Sequence, residues 1–309
     1  MNKRLAPILL FTYKRLDTLK QTVAALQQNY EAGESELIIF SDAAKTPVDE
    51  AEINKVRDYI RGIDGFKSIC IYEAEKNKGL ANSIIDGVTK VISEYGKAIV
   101  LEDDLIATPN FLSFMNDGLN KYETETSVFS ISGYSFNLQP PENYTETGYF
   151  LNRGWSWGWA TWADRWKNVD WAVKDYASFI KDADQKKRFS QGGSDLTDML
   201  QRQMNGKMDS WAIRWFYHQF KVAGLTYYPL YSKIFNIGFG ENATHTTGSN
   251  RRYIPRLDKS FSQDFIYPKN AVSTKHFQAE FLKKMGYASR IRSRAESFIL
   301  SLTRKIKIR

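Results

Sequence analysis

Apolar positions in the first hundred residues switch repeatedly between two periods. Pro7 to Thr12 is an apolar run, and Leu16, Leu19, Val23 and Leu26 follow it at three- and four-residue spacing. A second run, Leu37 to Ser41, ends in Ser41-Asp42, and a charged helix with Ile53, Val56 and Ile60 comes next. Ser68 to Tyr72 reads as a third strand, Leu80, Ile84, Ile85, Val88 and Ile92 as a third helix, and Ala98 to Leu101 as a fourth strand. Short apolar runs bounded by turn residues suit strands, whereas the 3.6-residue period suits helices. Strands separated by helices predict βαβ units and a mainly parallel, doubly wound α/β sheet whose ligands gather at the carboxyl ends of its strands. Thr108 and Pro109 read as the cap and first residue of another helix, with Phe111, Leu112, Met115, Leu119 and Tyr122 along one face.

Beyond about residue 130 the texture changes. All eight tryptophans fall between Trp155 and Trp215, six of them within residues 149–171. Pro140-Pro141 marks a linking segment at Gln139 to Asn143, and Gly192-Gly193 marks a break at Gln191 to Ser194. The pattern divides the chain into a first half at residues 1–135, an aromatic-rich second half at 136–280 and a tail at 281–309.

Charge changes the picture only at that tail. The chain has 309 residues, 42% hydrophobic and 25% charged, within the ordinary globular range, and a formal charge of +8. From Phe281 to Arg309 there are nine Lys or Arg against the single acid Glu296, so this stretch carries the whole excess. Ile291, Ala295, Phe298, Leu302 and Ile306 recur at helical spacing beside the cations, which predicts a basic amphipathic helix suited to an anionic membrane surface. A helix packed on the domain with solvated charges outside would share this pattern. Nucleic acid is not an expected partner, because the aromatic residues are not interleaved with the basic ones. No segment approaches the roughly 20 apolar residues of a membrane span, and Ile8 to Phe11 reads as a strand and not as a signal-peptide core. The single cysteine, Cys70, can form no intramolecular disulfide and is expected to be a small buried hydrophobe in a reducing, cytoplasmic setting. The sequons at Asn143 and Asn242 are then expected to be unused.

The most informative chemistry is the acidic triplet Glu102-Asp103-Asp104, which directly follows the strand Ala98 to Leu101. A parallel sheet delivers these residues to its carboxyl edge, and adjacent carboxylates repel one another unless a cation offsets them. Oxygen ligands without cysteines point to manganese or magnesium. Asp42, at a second strand end, is placed to meet a ribose hydroxyl or to cap a turn. Aromatic planes can stack on the C–H faces of sugar rings, so one or two of the tryptophans are expected to touch saccharide while most pack the interior.

Taken in order, these segments resemble bacterial family-2-like glycosyltransferases of the GT-A (Rossmann-like) fold, with similarity to N-acetylglucosaminyltransferase I over roughly residues 5–250. Pro7 to Arg15 resembles the first strand and turn, where base and ribose settle, which implies donor contacts from Thr12 and Arg15. Ser41-Asp42 resembles the second strand end, and Asn77-Lys-Gly-Leu-Ala81 resembles the donor-side helix start, with Lys78 near the phosphates. Glu102-Asp-Asp104 is similar to the family's DxD motif: Asp104 would ligate the metal, and Glu102 and Asp103 would contact donor ribose or sugar. Asp209, before Ser210 and Trp211, resembles the segment that supplies the catalytic base, although the similar motif has two adjacent acids where this chain has one. Trp155, Trp157 and Trp211 would face the acceptor. The glycine-rich stretch Asn236 to Gly248 resembles a late loop whose histidine, here His245, would bind the diphosphate or join the metal.

The expectation is therefore a Mn2+- or Mg2+-dependent, inverting transferase. It would move sugar from a UDP-sugar to a glycan or lipid-linked acceptor in surface polysaccharide assembly, at the inner membrane face. UDP follows from the resemblance alone. A retaining transferase, a nucleotidyltransferase, or a non-catalytic carbohydrate-binding protein at the membrane remain alternatives.

Overall fold

In a computed structural model of the chain, residues 5–238 and 250–292 are described, the side chains of 250 and 251 excepted. His245, the Asn242 sequon and the tail from residue 293 onward lie outside the described residues.

The apolar runs become β1 (Ile8–Thr12), β2 (Glu36–Ser41), β3 (Ser68–Glu73) and β4 (Lys97–Glu102). Between them run α1 (Leu16–Gln27), α2 (Glu50–Arg61) and α3 (Gly79–Tyr95). The four strands lie in the order β3-β2-β1-β4, all parallel. β1 is buried throughout its length, as a central parallel strand with helices on both faces must be. Its alternate residues feed two cores: Ile8 and Leu10 pack with Leu19, Val23 and Leu26 of α1, and Leu9 and Phe11 pack with Ile84 and Val88 of α3. At Gly87 of α3 a Cβ would come within 2.8 Å of the Phe11 ring, so the helix seats on the sheet only through glycine there.

After β4 come β5 (Leu105–Ala107), α4 (Phe111–Lys121), β6 (Val128–Ser132), β7 (Gly148–Leu151) and β8 (Trp159–Trp162). Four helices follow, α5 (Ala163–Trp166), α6 (Tyr176–Phe179), α7 (Ala183–Phe189) and α8 (Leu196–Met204), then α9 (Trp211–Lys221), β9 (Leu225–Pro229), β10 (Ile234–Asn236) and α10 (Lys275–Met285). The main sheet has eight strands in the order β3-β2-β1-β4-β8-β6-β9-β7, with β8 antiparallel to β4 and β7 antiparallel to β9. One sheet thus runs from the first half of the chain into the second. β5 and β10 form a separate antiparallel pair in which Leu105 faces Asn236.

Two local expectations are corrected. Cys70 is exposed, because β3 is the edge strand and its residues alternate between half-buried and exposed. The helix expected from Thr108-Pro109 begins two residues later, with Asn110 as its cap. The Thr108 amide is taken by the Lys233 carbonyl, which extends the β5–β10 pairing past Ala107 and leaves Thr108 outside the helix.

Candidate functional site

The carboxyl ends of β1, β2 and β4 open into a cavity of about 880 Å³. Thr12, Arg15, Asp42, Glu102, Asp103, Asp104, Trp155, Trp157, Asp209 and Trp211 all line it, so nearly every residue singled out in the sequence meets in one place. Lys78 does not: its ammonium pairs with Asp86 at 2.8 Å, and it borders a neighbouring hollow of about 190 Å³.

The triplet is held from the first strand. Asp103 accepts hydrogen bonds from the Thr12 hydroxyl and the Tyr13 amide, each at 3.2 Å. One Arg15 nitrogen bridges Asp103 and Asp104 at 2.8 Å to each. Three carboxyls thus share one guanidinium, and the deficit shows in Glu102, whose carboxyl is pushed up to about 8 by burial and then by repulsion from Asp104 and Asp103. Asp104 is also roofed by the strand pair. Its carbonyl accepts from the Ile237 amide at 2.9 Å, and a Cβ on Gly238 would fall 2.1 Å from its carboxylate. Asn236 fixes that turn by accepting from the Gly238 amide at 2.7 Å.

These features fit a divalent cation of one kind. Among the described residues no three metal-binding side chains converge into an all-protein cage. A cation held by one or two carboxylates and completed by phosphate oxygens and water needs no cage. The uncompensated acids at 102–104 offer that arrangement.

Asp42 has a structural task. Its carboxylate accepts from the Asn77 side chain at 3.1 Å and from the amides of Lys78 and Gly79, both at 2.9 Å, so it ties the end of β2 to the start of α3. Asp209 has none of comparable strength. Helix α9 is capped by Ser210, whose hydroxyl accepts from the Ile213 amide, and the Asp209 side chain is 66% exposed with only a loose contact to Arg214 at 3.7 Å. An acid before a helix can serve as its cap, but here that role belongs to Ser210.

The tryptophans divide as a mixed role requires. Trp159, Trp166, Trp211 and Trp215 form one buried cluster, with Trp159 4.5 Å from Trp215 and 5.0 Å from Trp211. Trp211 reaches the cavity only as an edge of that core. Trp155 stacks on Tyr134 at 5.1 Å and meets Trp157 edge-on at 5.2 Å, and both border the cavity. Residue patterns did not reveal Arg153, buried beneath Trp155 with its guanidinium 5.1 Å from the ring and paired to Asp195 through two contacts of 2.8 and 2.9 Å. Its only local signal was a cation inside an aromatic string.

Residues 8–177 match the family model described as Glycosyl transferase family 2. Among solved structures the chain is similar to S. aureus TarS, with TM-score 0.31 and 10% identity over 46% of this chain and 23% of that one. A TarS 1-349 structure in complex with UDP gives the same score and identity over 38% of its chain. The mannosyltransferase PcManGT from Pyrobaculum calidifontis, in complex with GDP-Man and Mn2+, gives TM-score 0.35 and 9% identity over 53% of this chain and 46% of that one. The chain spans less than half the length of each of these structures. No curated protein sequence matches it.

Proposed function

The chain belongs to glycosyltransferase family 2, and from its site we infer that it is a metal-dependent, inverting glycosyltransferase acting on a nucleotide-sugar donor. Its mainly parallel sheet flanked by helices is the GT-A arrangement. The observation that carries the reading is the single cavity shared by the acidic triplet, an exposed and uncapped Asp209, and the Trp155–Trp157 pair.

In this reading Asp104, with Glu102 or Asp103 beside it, would hold Mn2+ or Mg2+ for the donor's diphosphate. A cation held there would supply positive charge to offset the negative charge that grows on the leaving diphosphate. Arg15 adds a fixed positive charge on the same side, and Thr12 and the β2–α3 junction built on Asp42 shape the nucleoside end. Asp209 takes the proton of the acceptor hydroxyl, and its exposure leaves it free to be desolvated by the acceptor itself. Trp155 and Trp157 offer planes to the acceptor sugar.

The similarity of the Asp209 segment to N-acetylglucosaminyltransferase I supports inversion, and resemblance supports UDP as the nucleotide. The basic stretch at 281–309 would set the enzyme on an anionic membrane surface, at the cytoplasmic face, where lipid-linked glycans of surface polysaccharide assembly are made. Exposed Tyr287 and Ile291, at the described start of that stretch, accord with that placement. No helix among the described residues is long and apolar enough to cross a membrane.

Calorimetric titration of UDP, GDP and CDP with and without Mn2+, on the wild type and on Asp104→Ala, tests the reading. UDP binding that requires both the metal and Asp104 is expected. Absence of any nucleotide binding by folded protein would overturn the donor site and favour a carbohydrate-binding role.

A further inference from the structure

Besides Arg15, which serves the triplet, four arginines line the cavity: Arg153, Arg202, Arg252 and Arg290. Asp195 and Asp198 line it with them. Both of these aspartates are already paired, Asp195 with Arg153 and Asp198 with Arg290, each at 2.8 Å. Arg202 and Arg252 are left with no acidic partner among the described residues. Arg202 projects from the same face of α8 as Asp195 and Asp198, at the spacing of successive turns.

Arg252 is the more telling of the two. Its Nε is buried without a hydrogen-bond partner, and among the described residues its side chain makes one polar contact, a weak one at 3.5 Å to the Tyr253 hydroxyl. A buried guanidinium nitrogen left unpaired costs free energy, and such a group in a native site calls for a ligand. The ring of Tyr253 lies 5.3 Å from the same guanidinium and 5.8 Å from Trp157, so the unpaired charge stands at the edge of the aromatic surface assigned to the acceptor.

We propose that the acceptor carries an anionic group, a phosphate or a carboxylate, received by Arg252 and Arg202 beside the Trp155–Trp157 surface. This deepens the transferase reading and rests on it. Guanidinium groups suit the purpose, since their planar donors match both oxyanions, and at Arg252 the Tyr253 ring keeps the group partly desolvated. The paired Arg153–Asp195 and Arg290–Asp198 contacts add no net charge but hold the walls, so the excess charge stays with the two unpaired residues.

The test uses the full chain loaded with UDP and Mn2+, titrated with three probes: a glycerol-phosphate trimer, a uronic-acid-containing tetrasaccharide and neutral maltotetraose. One or both anionic probes should bind, more weakly as salt rises, and about tenfold or more weakly in Arg252→Gln and in Arg202→Gln. Which of the two binds better identifies the oxyanion. Arg202 is exposed, so its variant is a safe control for folding. Equal binding of maltotetraose, or no binding of either anionic probe, would overturn the proposal. So would variants that lose UDP affinity while keeping their affinity for the probes, because the arginines would then serve the donor diphosphate. Failure of UDP to bind the wild type would instead count against the transferase reading itself.

Discussion

Lys233 and Asp258 form an ion pair in which both side chains are only 4% exposed, and the pair stands directly before β10, the strand that roofs Asp104. Asp258 also accepts from the Asn110 side-chain amide at 2.9 Å and from the Ser260 amide and hydroxyl at 2.9 and 2.7 Å. Burial works against its charge, but Lys233, Asn110 and Ser260 together bring its pKa down to about 2. Against an unfolded value of about 3.9, that depression contributes about 2–3 kcal/mol of stability at neutral pH. The contribution is present above the unfolded pKa and is lost as pH falls toward the folded one, with about half gone by pH 3. Lys233 pulls the other way. Burial lowers its pKa despite the pairing, so its charged form is disfavoured in the fold and offsets part of what Asp258 gains.

The pair as a whole is therefore worth less than the Asp258 gain alone, and either half without the other is costly. Lys233→Met leaves a buried carboxylate whose remaining hydrogen bonds cannot replace an ammonium, and should cost about 3 kcal/mol at pH 7. The double variant Lys233→Met/Asp258→Leu should recover most of that loss. Urea unfolding followed by tryptophan fluorescence measures both, since the buried cluster around Trp159 reports the packed state. The gap between wild type and the single variant should narrow at pH 3, where the variant's Asp258 is protonated and the wild type has lost half its advantage. A single-variant cost below about 1 kcal/mol, or a gap that does not change between pH 7 and pH 3, would refute the reasoning.

Two further changes address the site. Gly238→Ala places a methyl group within 2.1 Å of the Asp104 carboxylate and should weaken Mn2+-dependent UDP binding about tenfold or more, read by calorimetry, with little change in thermal midpoint because the turn lies at the cavity and outside the core. Asp209→Asn should lower kcat by about a hundredfold to ten-thousandfold in a UDP-release assay while leaving UDP affinity within about twofold; a drop confined to KM would remove Asp209 from the role of base.

Where each residue's surroundings come from nearby sequence, the pattern along the chain was legible. β1, β2 and β4 are buried on both faces and so read as continuous apolar runs. The acids at 102–104 follow such a run, which fixes them at the sheet's edge. Cys70 was misjudged because the burial of β3 depends on its place at the end of the strand order, and nothing in SICIYE encodes that place. The tryptophan-rich segment hides β8 in the same way. Its four residues are all buried, as they insert antiparallel between β4 and β6, so no alternation marks the strand. Arg15 was visible as a cation near the first turn, but its two carboxylate partners lie 88 and 89 positions away.

The two parts of the cavity lining, the triplet with its clamps and the rest, are built differently. The triplet end is clamped by the sheet: Thr12, Tyr13 and Arg15 from β1 and the turn after it, the triplet at the end of β4, and the turn after β10 all hold one another through short contacts. A change there disturbs several partners at once. Trp155, Trp157, Asp209, Arg202 and Arg252 line the cavity from outside the regular strands, and the buried Arg153–Asp195 pair ties the segment after β7 to the residue that precedes α8. Asp209 in particular is located by its neighbour, since Ser210 both caps α9 and donates its amide to the Gln203 side chain at the end of α8. Asp209 is thereby set in position at the cavity with only the loose Arg214 contact on its carboxylate, which is the arrangement the Asp209→Asn prediction puts to the test.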